Sequence, residues 1–379
     1  MNKKSICFVS ISFSPEILGG TNLFNKNLIK YIQSKKLDIK ISWVYFGEKN
    51  KRYQEDGINY IELKSPKFGS ELSIKKNLTL VRFFNKNFFD VISARTGLWV
   101  HLYKKKAEQK IFQTYHGTRY YLNKNHYERL NFIKKSLLLA LLGVNWIVDK
   151  PGKETDKIIC VSKKVKRQVE NLYGKRKNIR VIRTGVDLKK FEFRNKKESR
   201  KILNLDKEKI YGLYVGNGGF WTKGLDRAIN ISENIYKKNK EYRLIVIGPD
   251  LKKSRHLLNK KFVIYIKEVN RDKMPFYYNA ADFFFCMSRY EGGAPTLVIS
   301  EAMASGCLIS CSKSSEQEII EDGKNGLILE NFDENDAERI IEILKNKKKK
   351  SEIIKNSIKT IKEFSLQIWG KKYLEVLIK

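Results

Sequence analysis

The sequence predicts an α/β protein built from two doubly wound domains, each a parallel sheet with helices on both faces. Three observations lead there: a length of 379 residues, short apolar β-rich runs alternating with amphipathic segments, and one aperiodic charged stretch near the middle. That length exceeds the usual size of a single core and suits two. Apolar residues make up 42% of the chain and aromatic residues 12%, which excludes a disordered protein.

Strand candidates in the first half are residues 5–12, 39–46, 91–94, 111–115, 157–161 and 180–182. A second series covers 211–215, 243–247, 262–266, 282–286 and 308–311. Between them, residues 187–200 (DLKKFEFRNKKESR) are charged and lack periodicity, which reads as a linker. The predicted domains are therefore 1–187 and 188–362, with an amphipathic helix inside 363–379 packing back on the first. Ligands of such sheets lie beyond the carboxyl ends of the strands, so the site is expected in a central cleft that the two domains face. The lysine run 345–350 reads as a solvated helix face or loop.

The formal charge of +35 is unevenly placed: residues 1–200 carry 44 Lys+Arg against 17 Asp+Glu, the remainder 32 against 24. Coding bias toward lysine would not put most of the excess in one half. A basic first half calls for an anionic partner, and no module of nucleic-acid recognition accompanies it. No nucleic-acid partner is therefore expected, and anionic membrane lipid or glycolipid leads. The longest apolar run, residues 136–148 (SLLLALLGVNWIV), is too short to span a bilayer. It reads either as a buried core helix, the commoner case, or as a face lying on a membrane. The five cysteines sit mostly inside apolar runs, like small buried thiols, and no leader-like segment opens the chain. A cytoplasmic protein, peripheral at the inner face of the cell membrane, is the expectation.

Chemistry concentrates after the apolar run DFFFCMS. There Arg289, Tyr290, Glu291, Gly292 and Gly293 make a turn, and a helix is expected from about Pro295. Glycines let a backbone approach a ligand, and the free N–H groups of Thr296, Leu297 and Val298 would form an anion site for a diphosphate. Glu301, further along, could accept from ribose hydroxyls. No Asp-x-Asp stands at a strand end, and no His or Cys cluster has metal-ligand spacing, so no metal is expected. In GNGGFWTKG the third glycine of a dinucleotide fingerprint is Trp221, which argues against a nicotinamide enzyme.

The stretch EGGAPTLVISEAMASGCLISCSKSSEQEIIEDGKNGLIL resembles the donor site of retaining family 4 glycosyltransferases (glycosyl transferases group 1) of bacterial surface-polysaccharide or lipopolysaccharide-core type. The resemblance implies the GT-B fold, two Rossmann-like domains with the acceptor on the first and the nucleotide-sugar on the second. It implies transfer of a sugar, from UDP more than GDP, to a glycan or lipid-linked acceptor in surface-polysaccharide synthesis. The nucleotide-sugar is then substrate, and no cofactor is implied. Glu301 matches the ribose-binding glutamate and Glu291 the sugar-binding one. The family's pair has seven intervening residues, whereas nine lie between these two and Gly293 stands at the strict position. Lys223, followed by Gly224, matches the lysine that neutralises the diphosphate, on a loop that also offers Gly216 and Asn217.

The companion arginine of that loop is replaced by Asn217, with Arg289, Arg183 or Arg227 as candidate substitutes. Gly19 and Gly20 resemble the N-terminal Gly-Gly loop near the donor phosphates, and His116 the histidine near the reacting centre. Ser162 and the run Thr184, Gly185, Val186, Asp187 match structural landmarks, and Glu318 a glutamate that orients the donor loop. The resemblance makes His116, Glu291 and Lys223 the catalytic set. The alternative is a catalytically weak relative that binds nucleotide-sugar or a partner.

Overall fold

The computed structural model describes residues 4–11, 15, 19–66, 73–127, 130, 132–216, 220–248 and 254–378. Asn217, and the loop residues 16–18 before Gly19, fall outside them. The chain forms two units, residues 1–183 with 369–379, and residues 184–368.

The first unit carries β1 (Lys4–Ser10), β2 (Ile39–Gly47), β3 (Lys51–Glu55), β4 (Ile58–Lys64), β5 (Val91–Ala94), β6 (Lys110–Tyr115), β7 (Lys157–Cys160) and β8 (Ile179–Val181) in the order β3-β4-β2-β1-β5-β6-β7-β8. All neighbours are parallel except the β3/β4 hairpin. That hairpin escaped the sequence reading because β3 is polar along its length, an edge strand with a mostly exposed pattern. Its turn places Asp56 and Gly57 at positive φ, the twist a tight hairpin needs.

The second unit carries β9 (Ile210–Val215), β10 (Tyr242–Ile247), β11 (Val263–Ile266), β12 (Phe283–Cys286), β13 (Leu308–Ser312) and β14 (Leu327–Leu329), all parallel, in the order β11-β10-β9-β12-β13-β14. Both faces are covered, so β12 is apolar at every position. Phe284 and Cys286 enter one core with Leu213 and Ile309, while Phe283 and Phe285 enter the other with Val246 and Leu308. Truncating Phe284, which is fully buried, would cost roughly 3–5 kcal/mol.

Three expectations change, those for the boundary, the linker and the lysine run. The boundary lies at Arg183, before the expected Asp187, because Val186 bridges Ser365: its N–H donates to Phe364 O at 2.8 Å and its carbonyl accepts from Leu366 at 2.9 Å. The C-terminal helix Leu366–Ile378 joins the first unit from Trp369 onward, with Trp369 and Tyr373 edge-on to Phe24. Residues 187–200 are not all linker, since Asn195 caps a helix Lys196–Ile202 by accepting from Lys197 N and Glu198 N. Nor is the lysine run simply solvated. Lys350 lies 3.5 Å from Asp282, which also binds Lys196 and Arg200, each at 2.8 Å. Burial alone would raise the Asp282 pKa, but Lys196 and Lys350 hold it below the usual carboxylate range.

All five cysteines are free and buried, as their setting predicts. The run 136–148 belongs to the helix Phe132–Asp149, and the core expectation fails there. Only Leu138, Leu142, Asn145, Val148 and Asp149 are buried, while the other large apolar side chains face solvent.

Candidate active site

In the second sheet the chain steps outward through β9, β10 and β11, then reverses through β12, β13 and β14. β9 and β12 are therefore neighbours at the topological switch point, and their carboxyl-end loops define the crevice of the unit. Lys223 ends the short helix Phe220–Lys223 after β9, and Glu291 follows β12. The two loops are tied together by Arg289. Its N–H donates to Thr222 O at 2.8 Å, and its guanidinium binds Asp226 through two bonds of 2.8 and 2.6 Å while lying over the Trp221 ring.

Inside this clamp Lys223 Nζ lies 2.6 Å from Glu291 Oε1, which also accepts from Ser288 Oγ at 2.6 Å. Burial disfavours the Lys223 ammonium, but Glu291 more than offsets it and raises the lysine pKa. The nine-residue spacing thus does not keep Glu291 out of the site. Gly224 makes the arrangement possible: its φ is +71°, and a Cβ there would stand 1.9 Å from the Met287 carbonyl oxygen.

The arginine candidates are engaged or elsewhere. Arg289 is committed to Asp226. Arg227 donates to Ser314 Oγ at 2.7 Å and lies over Phe332, and burial with the Arg289 charge pushes its pKa down to about 10. Arg183 belongs to the first unit.

The helix beyond β12 starts at Leu297, with Thr296 as N-cap, two residues later than expected. The Thr296 N–H is not free, because it donates to Gln317 Oε1 at 3.0 Å. Leu297 and Val298 occupy the first two helical positions, whose N–H groups have no acceptor within a helix. The Thr296 hydroxyl does not cap the helix, and Oγ1 is buried without a partner. A buried hydroxyl so placed is costly unless a ligand or water uses it, which favours an anion at this end. Gly292 and Gly293 lie in the bend between strand and helix. Gly216 directly follows β9, and a Cβ on Gly248 would meet its carbonyl oxygen at 2.1 Å. Gln317, next to Glu318, ties this loop to the helix through that bond.

Glu301 is 1% exposed and not open for ribose in this conformation. Arg271 binds both its carboxylate oxygens, and Tyr278 OH donates to Oε2 at 3.0 Å. Burial opposes the Arg271 charge, and Glu301 outweighs it, so the guanidinium pKa rises. Three hydrogen bonds leave about one of a carboxylate's roughly four acceptor positions unused. Neither Arg271 nor Tyr278 was visible in the sequence, since no motif contains them and only folding brings them to Glu301.

In the first unit the switch point is β1/β5. Gly19 is the N-cap and Gly20 the first residue of the helix Gly20–Ser34, and both are exposed. A Cβ on Gly19 would meet nothing within 4 Å, so sterics do not demand that glycine. His116 follows β6 and meets Phe24 edge-on at 4.7 Å. Burial, and then the charge of Arg95 after β5, push the imidazole down to about 3. It is neutral at physiological pH, a hydrogen-bonding group rather than a strong base. Nearby, Asp149 accepts from Tyr120 N at 3.0 Å while its Oδ1 is buried without a partner. Burial raises this acid to about 6 against the pull of the Tyr120 N–H and Arg119. Ser162 caps the helix Lys163–Tyr173 by accepting from Val165 N at 3.0 Å, a structural role.

Comparison with known proteins gives the same class. Residues 18–190 match Glycosyltransferase Family 4, and residues 195–360 match Glycosyl transferases group 1. The chain is 24% identical over 370 residues to spore coat protein SA of Bacillus subtilis (strain 168), covering 90% of each protein. Sucrose-phosphate synthase from Thermosynechococcus elongatus has a TM-score of 0.80 at 18% identity, covering 98% of both chains. Anabaena Alr3699/HepE, solved in complex with UDP and glucose, has a TM-score of 0.71 at 16% identity, again covering 98% of both. Fold and family matches together define a glycosyltransferase. The chain belongs to the family 4 glycosyltransferases of the GT-B fold.

Proposed function

We propose that this glycosyltransferase moves a sugar from a uridine diphosphate donor, with retention at the anomeric carbon, onto a glycan or lipid-linked acceptor of a cell-surface polysaccharide or lipopolysaccharide. The observation that carries it is the Lys223–Glu291 pair at the joined carboxyl ends of β9 and β12. An incoming diphosphate competes with Glu291 for the Lys223 ammonium, with the N–H groups of Leu297 and Val298 and the Thr296 hydroxyl as further donors. Released from Lys223, Glu291 turns its carboxylate to the sugar hydroxyls. Glu301 takes the ribose once Arg271 yields. The HepE complex with UDP and glucose supports the choice of donor.

In the proposed step the acceptor oxygen attacks the anomeric carbon on the face that the diphosphate leaves. The bond from that carbon to the diphosphate oxygen breaks, and the acceptor proton passes to the departing phosphate. Lys223 and the helix N-terminus hold the developing negative charge without a metal ion. The acceptor is assigned to the first unit near Gly19, Gly20 and the neutral His116, and the basic charge of that unit to contact with anionic membrane.

Calorimetry with UDP-, GDP- and ADP-sugars, followed by NMR of the product anomer, tests the reading. Binding of a UDP-sugar and a product of unchanged anomeric configuration are expected. An inverted product, or no nucleotide-sugar binding, overturns it. A second reading rests on one observation: Asn217 replaces the expected arginine, and Arg289 is committed to Asp226. It describes a catalytically weak relative, which would bind donor without sugar transfer or hydrolysis.

A further inference from the structure

Eight of the eighteen large apolar side chains left exposed among the described residues lie on one helix, Phe132–Asp149. Leu138, Leu142, Asn145 and Asp149 recur at helical spacing and form its buried stripe. On the opposite side Ile133, Leu137, Leu141, Val144 and Ile147 make an apolar face that ends at the buried Val148; they are between 37% and 71% exposed, and Phe132 and Leu139 carry the exposed arc round to Trp146 at its far edge. The helix has only three charged residues: Lys134 and Lys135, which border the buried stripe, and the buried Asp149. Between Trp146 and Leu141 the exposed arc carries none, and the exposed Lys134 stands at its border. Single exposed apolar residues need no explanation, but a contiguous face of this size on a charged protein marks an interaction surface.

Charge decides the occupant. Trp146 packs against Tyr173, donates to Leu172 O at 3.3 Å and lies under Lys150. The chain next to Tyr173 continues as Gly174, Lys175, Arg176, Lys177. The apolar face is thus flanked by cations, in the half of the chain that holds 44 Lys+Arg against 17 Asp+Glu. A second copy would bring the same positive charge to the contact, whereas an anionic bilayer supplies apolar depth and negative headgroups together. Spanning is ruled out for this helix. One stripe is engaged in its own unit, its 18 residues extend roughly 27 Å, and no described helix is long and apolar enough to cross.

We propose that the helix Phe132–Asp149 lies in the surface of an anionic membrane, with its outer face among the acyl chains and the lysines around Trp146 at the headgroups. The helix also reaches the proposed acceptor region: Tyr115, next to His116, donates to the Asp149 carbonyl at 2.7 Å. A lipid-linked acceptor would then be drawn from the layer in which the helix lies. That last step rests on the glycosyl-transfer reading, but the docking does not.

The test is flotation of the full-length protein with vesicles of phosphatidylcholine, with and without phosphatidylglycerol. Binding only to the anionic vesicles, weakened steeply by salt, is expected. Replacing Leu137, Leu141 and Val144 together by serine should weaken it at least tenfold. The triple variant should keep its hydrolysis of soluble donor, since those side chains lie on the exposed face of the helix. Trp146 fluorescence should shift blue and be quenched by brominated lipid, and the W146F variant should lose that signal. Wild-type protein that ignores anionic vesicles, or a triple variant that binds as tightly as wild type, overturns the proposal. So does a wild-type dimer that the triple variant dissociates without change in vesicle binding. Docking without sugar transfer would instead count against the catalytic reading alone.

Discussion

Lys223 Nζ lies 2.6 Å from Glu291 Oε1 across the ends of two adjacent parallel strands, so the loops after β9 and β12 share one ion pair. Glu291 is the more buried partner, at 11% side-chain exposure against 32% for the lysine. Removing the cation should therefore leave a costly lone carboxylate. Lys223→Met is expected to lower stability by roughly 1–3 kcal/mol in denaturant unfolding. Adding Glu291→Gln should restore most of that stability. Turnover should not return in the double variant, because the charge on the leaving diphosphate stays uncompensated, a loss of about 10²-fold or more in kcat. Recovery of turnover in the double variant would remove Lys223 from the chemistry.

Glu301 and Arg271 make a second coupled pair, and here the carboxylate is almost fully buried. Arg271→Ala should destabilise by about 3–5 kcal/mol, since nothing replaces the paired cation. Glu301→Gln keeps an acceptor for Tyr278 and disturbs the fold less. On the ribose reading it should weaken UDP binding by calorimetry roughly tenfold, the worth of one charge-assisted hydrogen bond. Unchanged UDP affinity would make the glutamate purely structural.

Gly224 combines a positive φ with a backbone carbonyl where a Cβ would go. Gly224→Ala is expected to cost about 2–4 kcal/mol through strain and a displaced Met287. Lys223 stands next to that residue, so the variant should lose donor affinity even at temperatures where it is folded. A melting curve and a UDP titration on the same sample separate the two effects.

The first unit should show opposed pH dependences. His116 is held near 3, below its unfolded value of about 6.5, so stability is full above about 6.5 and falls as pH drops toward 3. Asp149 is raised to about 6 from a usual value of 3.8, so its contribution is present below 3.8 and lost as pH rises through 6. His116→Asn should flatten the acid side of a melting-temperature profile between pH 6.5 and 4, and Asp149→Asn should steepen it. Identical profiles for wild type and H116N would contradict the placement of His116 in a desolvated, cationic setting.

What the sequence determined by itself follows from local periodicity and from runs of contiguous residues. The all-apolar run 283–286 had to be a doubly covered strand, and the turn through Glu291 to Pro295 had to precede a helix, because backbone chemistry and side-chain alternation are short-range. The family resemblance and the two-sheet organisation were legible for the same reason. The polar edge strand β3 left no periodic signal, and the amphipathic helix Phe132–Asp149 has too much apolar surface for composition to reveal which side is covered.

Tertiary structure alone decided the partners. Arg271 is 30 residues before Glu301 and Lys223 is 68 before Glu291. No propensity links positions that far apart; strand order does, by setting the carboxyl ends of β9 and β12 side by side. The same holds for Gln317, which occupies the Thr296 N–H that was expected to be free, and for Asp282, which draws Lys350 out of a run read as solvated. A charged or polar side chain in the sequence states what it can bind, and only the packed chain states what has already bound it.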